Sequence, residues 1–134
     1  MSRTQLGFTI AALYNICIIV FSRGFSDVLG QVDPLFGSGG SVGILLWGLA
    51  YFALRNSYAQ APAVALVFSL EKLFFASHWA LWMSTHAGEL PALFEADPLT
   101  GFFYAIYGAG DILFMFFFGW VAWRHWGSTA EPAP

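Results

Sequence analysis

Four long apolar stretches, separated only by short polar connections, constrain this chain most. They run from about Leu6 to Phe21, Ser41 to Leu54, Ala61 to His86 and Leu99 to Trp123. A hydrocarbon layer ~30 Å thick is crossed by about 20 helical residues. Each stretch therefore predicts a membrane-crossing helix, the first two completing their span with flanking Ser, Thr and Gly. Composition agrees. The 134 residues are 58% hydrophobic and 10% charged, whereas a soluble domain carries about 25% charged residues. A core that a chain this small can form does not hide so much apolar surface. Strands of ~10 residues with alternating hydrophobicity are absent from the sequence, which argues against a membrane β-barrel. The expected fold is all-α, a four-transmembrane-helix bundle forming one integral membrane domain over 1–134, with 127–134 a flexible tail.

Charge sets the expected orientation. Arg3, Arg55 and Arg124 fall on one side with the N-terminal amine, whereas Arg23 stands on the other among Asp27, Asp33, Glu89, Glu95 and Asp97. The positive-inside rule places both termini in the cytoplasm and disfavours a dual-topology dimer. The first stretch ends in Phe21-Ser22-Arg23-Gly24-Phe25, which offers no small-x-small cleavage site, so it reads as a retained helix rather than a signal peptide. In the first outward connection Phe25, Val28, Leu29 and Val32 recur at helical spacing, predicting a short helix lying in the interface. Asp33-Pro34 and Gly37-Ser38-Gly39-Gly40 predict turns. In the second, Asp97-Pro98 has the form of an N-cap followed by proline at the first helical position.

Several function classes are disfavoured. Five Lys and Arg against eight Asp and Glu, with no basic cluster, argue against a nucleic-acid partner. Cys17, the single cysteine, forms neither an internal disulfide nor a thiolate cage and reads as a small hydrophobe. P-loop, GxGxxG and CxxC motifs are missing. His78, His86 and His125 lie at different depths, unlike a bis-histidine haem pair, and His86 with Glu89 is too small a set for a metal. No cofactor, metal or complete catalytic set is expected.

Counting helical rise from the middle of each stretch puts Glu71, Lys72, Asp111 and Asn15 in one layer at the bilayer centre. A charge there costs ~2.5–3.5 kcal/mol on insertion scales, so these groups should face the bundle and find partners. Lys72 and Asp111 are the expected pair, with Asn15 and Tyr14 hydrogen-bonded nearby. Glu71 is turned about 100° from Lys72 and shares a stripe with Phe74, Phe75 and His78. Two carboxylates against one ammonium make Glu71 the candidate to hold a proton. Gly101, Ala105, Gly108 and Ala109, and the Gly39/Gly43 pair, predict close helix packing within the chain. Trp120, Trp123 and Trp126 fit an inner interfacial belt, and Phe114, Phe116, Phe117 and Phe118 read as lipid-facing or core bulk.

Tyr14-Asn15, Gly48 to Tyr51, Lys72, and Gly110-Asp111 with Phe114 together resemble a pattern in small four-helix bacterial inner-membrane proteins of uncharacterised activity, loosely DoxX-like in size. The resemblance implies a bacterial inner-membrane location and agrees with a Lys72–Asp111 pair, but implies no activity. The residues themselves favour a structural or accessory membrane subunit. The alternatives are a proton-coupled small-molecule transporter using Glu71, Lys72 and Asp111, and a membrane enzyme acting on lipid or quinone with Glu71 and His78 as acid and base. Expected partners are the lipid bilayer and either further copies of the chain or a larger membrane complex.

Overall fold

A computed structural model describes residues 1–127; the tail expected over 127–134 lies outside the described residues except for Gly127. The described residues form helices joined by turns, with no strand among them. Helix α1 spans Arg3–Val20, α2 Asp27–Val32, α3 Ser38–Leu54, α4 Pro62–His86, α5 Leu90–Ala96 and α6 Pro98–His125, with 3₁₀ turns at Pro34–Phe36, Tyr58–Gln60 and Ala87–Glu89. The helical runs Arg3–Val20, Pro62–Ala96 and Pro98–His125 are long and apolar enough to cross a membrane, and Ser38–Leu54 is a shorter apolar helix.

The helix starts follow local chemistry. Ser2 and Gln5 form a reciprocal capping box on α1, which satisfies amide protons that have no partner inside the helix. Ser26 caps α2, and Asp33 caps the following turn through the Leu35 amide at 3.0 Å. Prolines open α4 and α6, where a missing N–H costs nothing. Asp97 occupies the N-cap position of α6, but its carboxylate is held by side chains instead. Arg23 reaches it at 2.8 and 3.3 Å, and Thr100 donates to it at 2.8 Å.

The long helices pack as two pairs. α4 with α6 makes the most extensive contact and α1 with α3 the next, while α1 touches α6 far less. At Gly48 an added Cβ would stand 3.1 Å from Asn15 Cβ and 3.2 Å from the Ala12 carbonyl; glycine here lets α1 and α3 approach. At Gly108 an added Cβ would overlap the Trp79 ring, and at Gly101 it would stand 2.6 Å from Phe94. Two apolar clusters fill the interior. One comprises Phe8, Tyr51, Phe68, Phe114 and Phe118 with smaller residues around them. The other, toward the α2 end, is built on Ile19, Leu29, Phe36, Phe103, Tyr104 and Tyr107.

Several expectations are corrected. Gly39 and Gly40 belong to the first turn of α3 rather than to a loop, and only Gly37 precedes it. The turn at Pro34–Phe36 reverses the chain by itself, and it passes so close to Gly40 that a Cβ there would collide with the Leu35 carbonyl. Gly39 and Gly43 do not form a packing seam, because a Cβ at either would meet nothing within 4 Å. Helix α2 forms where the spacing predicts a short helix. Leu29 is fully buried against the bundle, and its carbonyl accepts the Tyr104 hydroxyl at 2.7 Å. The phenylalanine cluster divides, with Phe114 and Phe118 in the core and Phe116 outside it, while Ala109 turns away from the glycine face of α6.

Between α1 and α2 the chain places two non-glycine residues, Arg23 (φ 67°) and Phe25 (φ 64°), in the left-handed region, a strain of roughly 1–2 kcal/mol each. Local bonds hold the turn: the Gly24 amide donates to the Ile19 carbonyl at 2.9 Å, and the Phe25 amide to Ser41 Oγ at 3.2 Å. The Arg23–Asp97 bridge ties it to α6. The Arg23 guanidinium, and after it the Thr100 hydroxyl, hold the Asp97 carboxyl below the usual carboxylate range. A carboxylate with a lowered folded-state value stabilises above its unfolded value, about pH 4, and that contribution is lost as pH falls through the lowered value. Arg23→Gln, which keeps the same backbone strain, should therefore lower Tm slightly at neutral pH. The gap to wild type should close in strongly acidic buffer, as thermal melts across a pH series would show.

Candidate functional site

Lys72 sits between the two apolar clusters with 2% of its surface exposed. From α4 its ammonium meets side-chain oxygens of both α6 and α1. Nζ donates to Asp111 Oδ1 at 2.8 Å and to Asn15 Oδ1 at 2.7 Å. The rings of Tyr51 and Tyr14 flank it, with centroids 5.2 and 5.5 Å from Nζ, a distance at which the ring faces attract a cation. Asn15 is itself fixed, because its Nδ2 donates to the Ile44 carbonyl on α3 at 3.1 Å. Tyr14 donates its hydroxyl to the Tyr107 carbonyl on α6 at 2.7 Å.

Glu71 points away from Lys72, as adjacent positions on a helix must. Its carboxylate accepts the hydroxyl of Tyr51 from α3, and Tyr51 is fully buried. The bonds Lys72–Asn15, Tyr51–Glu71 and Tyr14–Tyr107 each join one helix of the α1/α3 pair to one of the α4/α6 pair. All four long helices thus meet in one polar layer.

A cavity of about 20 Å³ borders this layer on the side of α2, lined by Glu71, Lys72, Asp111, Tyr107 and Phe36 among others. That volume holds about one water molecule. Tyr107, which lines it, is 3% exposed, and its hydroxyl has no hydrogen-bond partner among the described residues. Among the described residues no three His, Cys, Asp or Glu side chains converge as metal ligands would.

Of the residues singled out from sequence, Tyr14, Asn15, Glu71, Lys72 and Asp111 come together here. His78 does not. It lies two turns along α4 from Glu71, about 10 Å of helix rise, and pairs with Asp33 at 2.6 Å between Nε2 and Oδ2. Sequence reasoning gave Glu71 no hydrogen-bond partner, gave Tyr51 no contact and read Asp33 only as part of a turn. A signal for Tyr51 existed: Ser41, Ile44, Gly48 and Tyr51 repeat at helical spacing and form the buried stripe of α3. For Asp33 there was none, because its place depends on how the connection folds back over the bundle.

Compared with protein-family models, with curated proteins and with solved structures, the chain matches none.

Proposed function

We propose that the chain is a small multi-pass membrane protein acting as a structural or accessory subunit, and that its polar layer fixes which helices meet and in what register. One observation carries this reading: Lys72 is bonded at once to α6 and α1, with every oxygen it uses buried. In lipid, apolar side chains do not drive helices together as they do in water, so close packing and interhelical hydrogen bonds determine pairing. Between the two helix pairs the aromatic contacts of Phe8 and Tyr51 with Phe118 are non-directional, and the polar bonds add the directed links that fix register. The cavity beside Lys72 is about the size of one water molecule, which supports a packing role for the layer.

In this reading four helices cross the membrane, α3 being at the short end of the spanning range. The distribution of Arg3, Arg55 and Arg124 supports cytoplasmic termini. The resemblance to small DoxX-like bacterial proteins supports the inner membrane as the location.

A second reading, proton handling, is favoured by the cavity itself. It brings two carboxylates, an ammonium and a hydroxyl unpartnered among the described residues to one water-sized space, and intramembrane Asp and Glu are usual parts of proton relays. Vesicles containing the protein and an internal pH dye separate the two. As a structural subunit, the wild type shows no flux beyond protein-free vesicles, and Glu71→Gln melts within about 1 kcal/mol of it, because an amide oxygen still accepts the Tyr51 hydroxyl. Proton flux that the wild type carries and Glu71→Gln loses would overturn the structural assignment in favour of a carrier.

A further inference from the structure

The polar layer is closed differently on its two sides. Away from α2 it is sealed by helix-borne aromatic rings: Tyr51 packs on Phe68 and Phe118 with centroids 4.8 Å apart in each case, and Phe68 on Phe118 at 5.3 Å. On the α2 side the cavity wall includes a residue that belongs to no long helix. Phe36, 1% exposed, ends the turn Pro34–Phe36, and its ring meets those of Phe103, Tyr107 and Tyr104 edge-on at 4.9, 4.8 and 5.9 Å. The outer side of the same turn is surface: Asp33 and Pro34 line an open groove together with His78 and Trp82. One short turn therefore separates that groove from the cavity beside Lys72.

The turn is fastened through Asp33. One carboxylate oxygen caps the Leu35 amide at 3.0 Å and the other meets His78 Nε2 on α4 at 2.6 Å. The His78 ring in turn lies edge-on to Phe36 at 6.3 Å. We infer that Phe36 is a plug over the polar layer, that the Asp33–His78 pair is its latch, and that together they control the entry of water to Glu71, Lys72 and Asp111 from the α2 side. The ligand admitted is water, the one molecule the cavity fits and the one whose hydrogen bonds Tyr107 and the two carboxylates would use. This concerns access to the layer and holds whether or not a proton passes through it.

Thiol labelling in nanodiscs, where both faces meet solvent, tests this. Methanethiosulfonates react with the thiolate and must reach it from water, so labelling reports how far the cysteine is open to an aqueous reagent, which the intact plug excludes and an opened one admits. In a Cys17→Ser background, Ile44→Cys places a thiol in the cavity wall and Ala122→Cys places one in the sealed core beyond the layer. With the latch intact, a charged methanethiosulfonate should label Ile44→Cys slowly. Adding His78→Ala, or independently Phe36→Ala, should raise that rate at least tenfold and leave Ala122→Cys unlabelled. His78→Gln, whose amide still donates to Asp33, should stay near the slow rate. Fast labelling of Ile44→Cys with the latch intact, a rate indifferent to both alanine variants, or a parallel rise at Ala122→Cys that marks general loosening would each overturn the plug and latch.

Discussion

Lys72→Met is expected to destabilise the protein by about 3–5 kcal/mol, and Asp111→Leu by a similar amount. The size follows from what each change leaves behind. Without Lys72, Asp111 keeps a carboxylate that is 5% exposed, in a layer where its one ion-pair partner among the described residues has gone. Without Asp111, the ammonium retains Asn15 and two tyrosine rings but no opposite charge within bonding distance. An uncompensated charge in this environment is far more costly than the intact pair is favourable. Methionine matches lysine in volume and leucine repeats the branched four-atom shape of aspartate with bulkier ends, so neither leaves a cavity and the loss reads mainly the stranded charge. Thermal melts in detergent, compared with wild type, measure it.

Gly108→Val is the second large effect. The α4/α6 contact is the most extensive in the protein, and Gly108 lies where the Trp79 indole presses on the α6 backbone. The ring has little freedom to yield, since its Nε1 donates to the Tyr104 carbonyl at 2.9 Å. Added carbons in a packed interior cost typically 1–3 kcal/mol, occasionally more, and valine brings three. Helix propensity offsets less than about 1 kcal/mol of this. Gly43→Ala is the informative contrast, because a Cβ there meets nothing; it should hold or raise Tm through propensity alone. Equal behaviour of the two variants would mean that α4 and α6 are not this close at Gly108.

The helices were legible because apolar stretches of this length have few alternatives, and because Asp97-Pro98 marks the start of α6 in the sequence itself; the Ser2 cap of α1 and the proline opening α4 went unread. The Lys72–Asp111 contact was legible from depth: two opposite charges at one level on consecutive long helices have each other as the nearest remedy. Depth counting gives level but not azimuth, however, and azimuth decided the rest. Glu71 points along a stripe shared with His78, yet its partner, Tyr51, comes from another helix whose rotation the sequence shows only through the Ser41–Ile44–Gly48–Tyr51 repeat. Glycine spacing was likewise ambiguous. Gly39 and Gly43 have the form of a packing motif but face nothing, while Gly48 and Gly108 sit at real close approaches. A small residue permits an approach and does not say that a neighbour makes one. The glycines after the turn were misread for a related reason: their composition suggested that the turn continues through Gly40, but the Asp33 cap and Pro34 turn the chain before Ser38, leaving Gly39 and Gly40 to begin α3.

The double variant Lys72→Met/Asp111→Leu, melted beside its two single variants, tests the junction most directly. If the polar layer is a structural lock, removing both charges strands neither, and the double variant should recover most of the loss, with a coupling of several kcal/mol between the sites. Losses that simply add, or single variants as stable as wild type, would contradict the lock and show that the pair is kept for something other than holding the helices together.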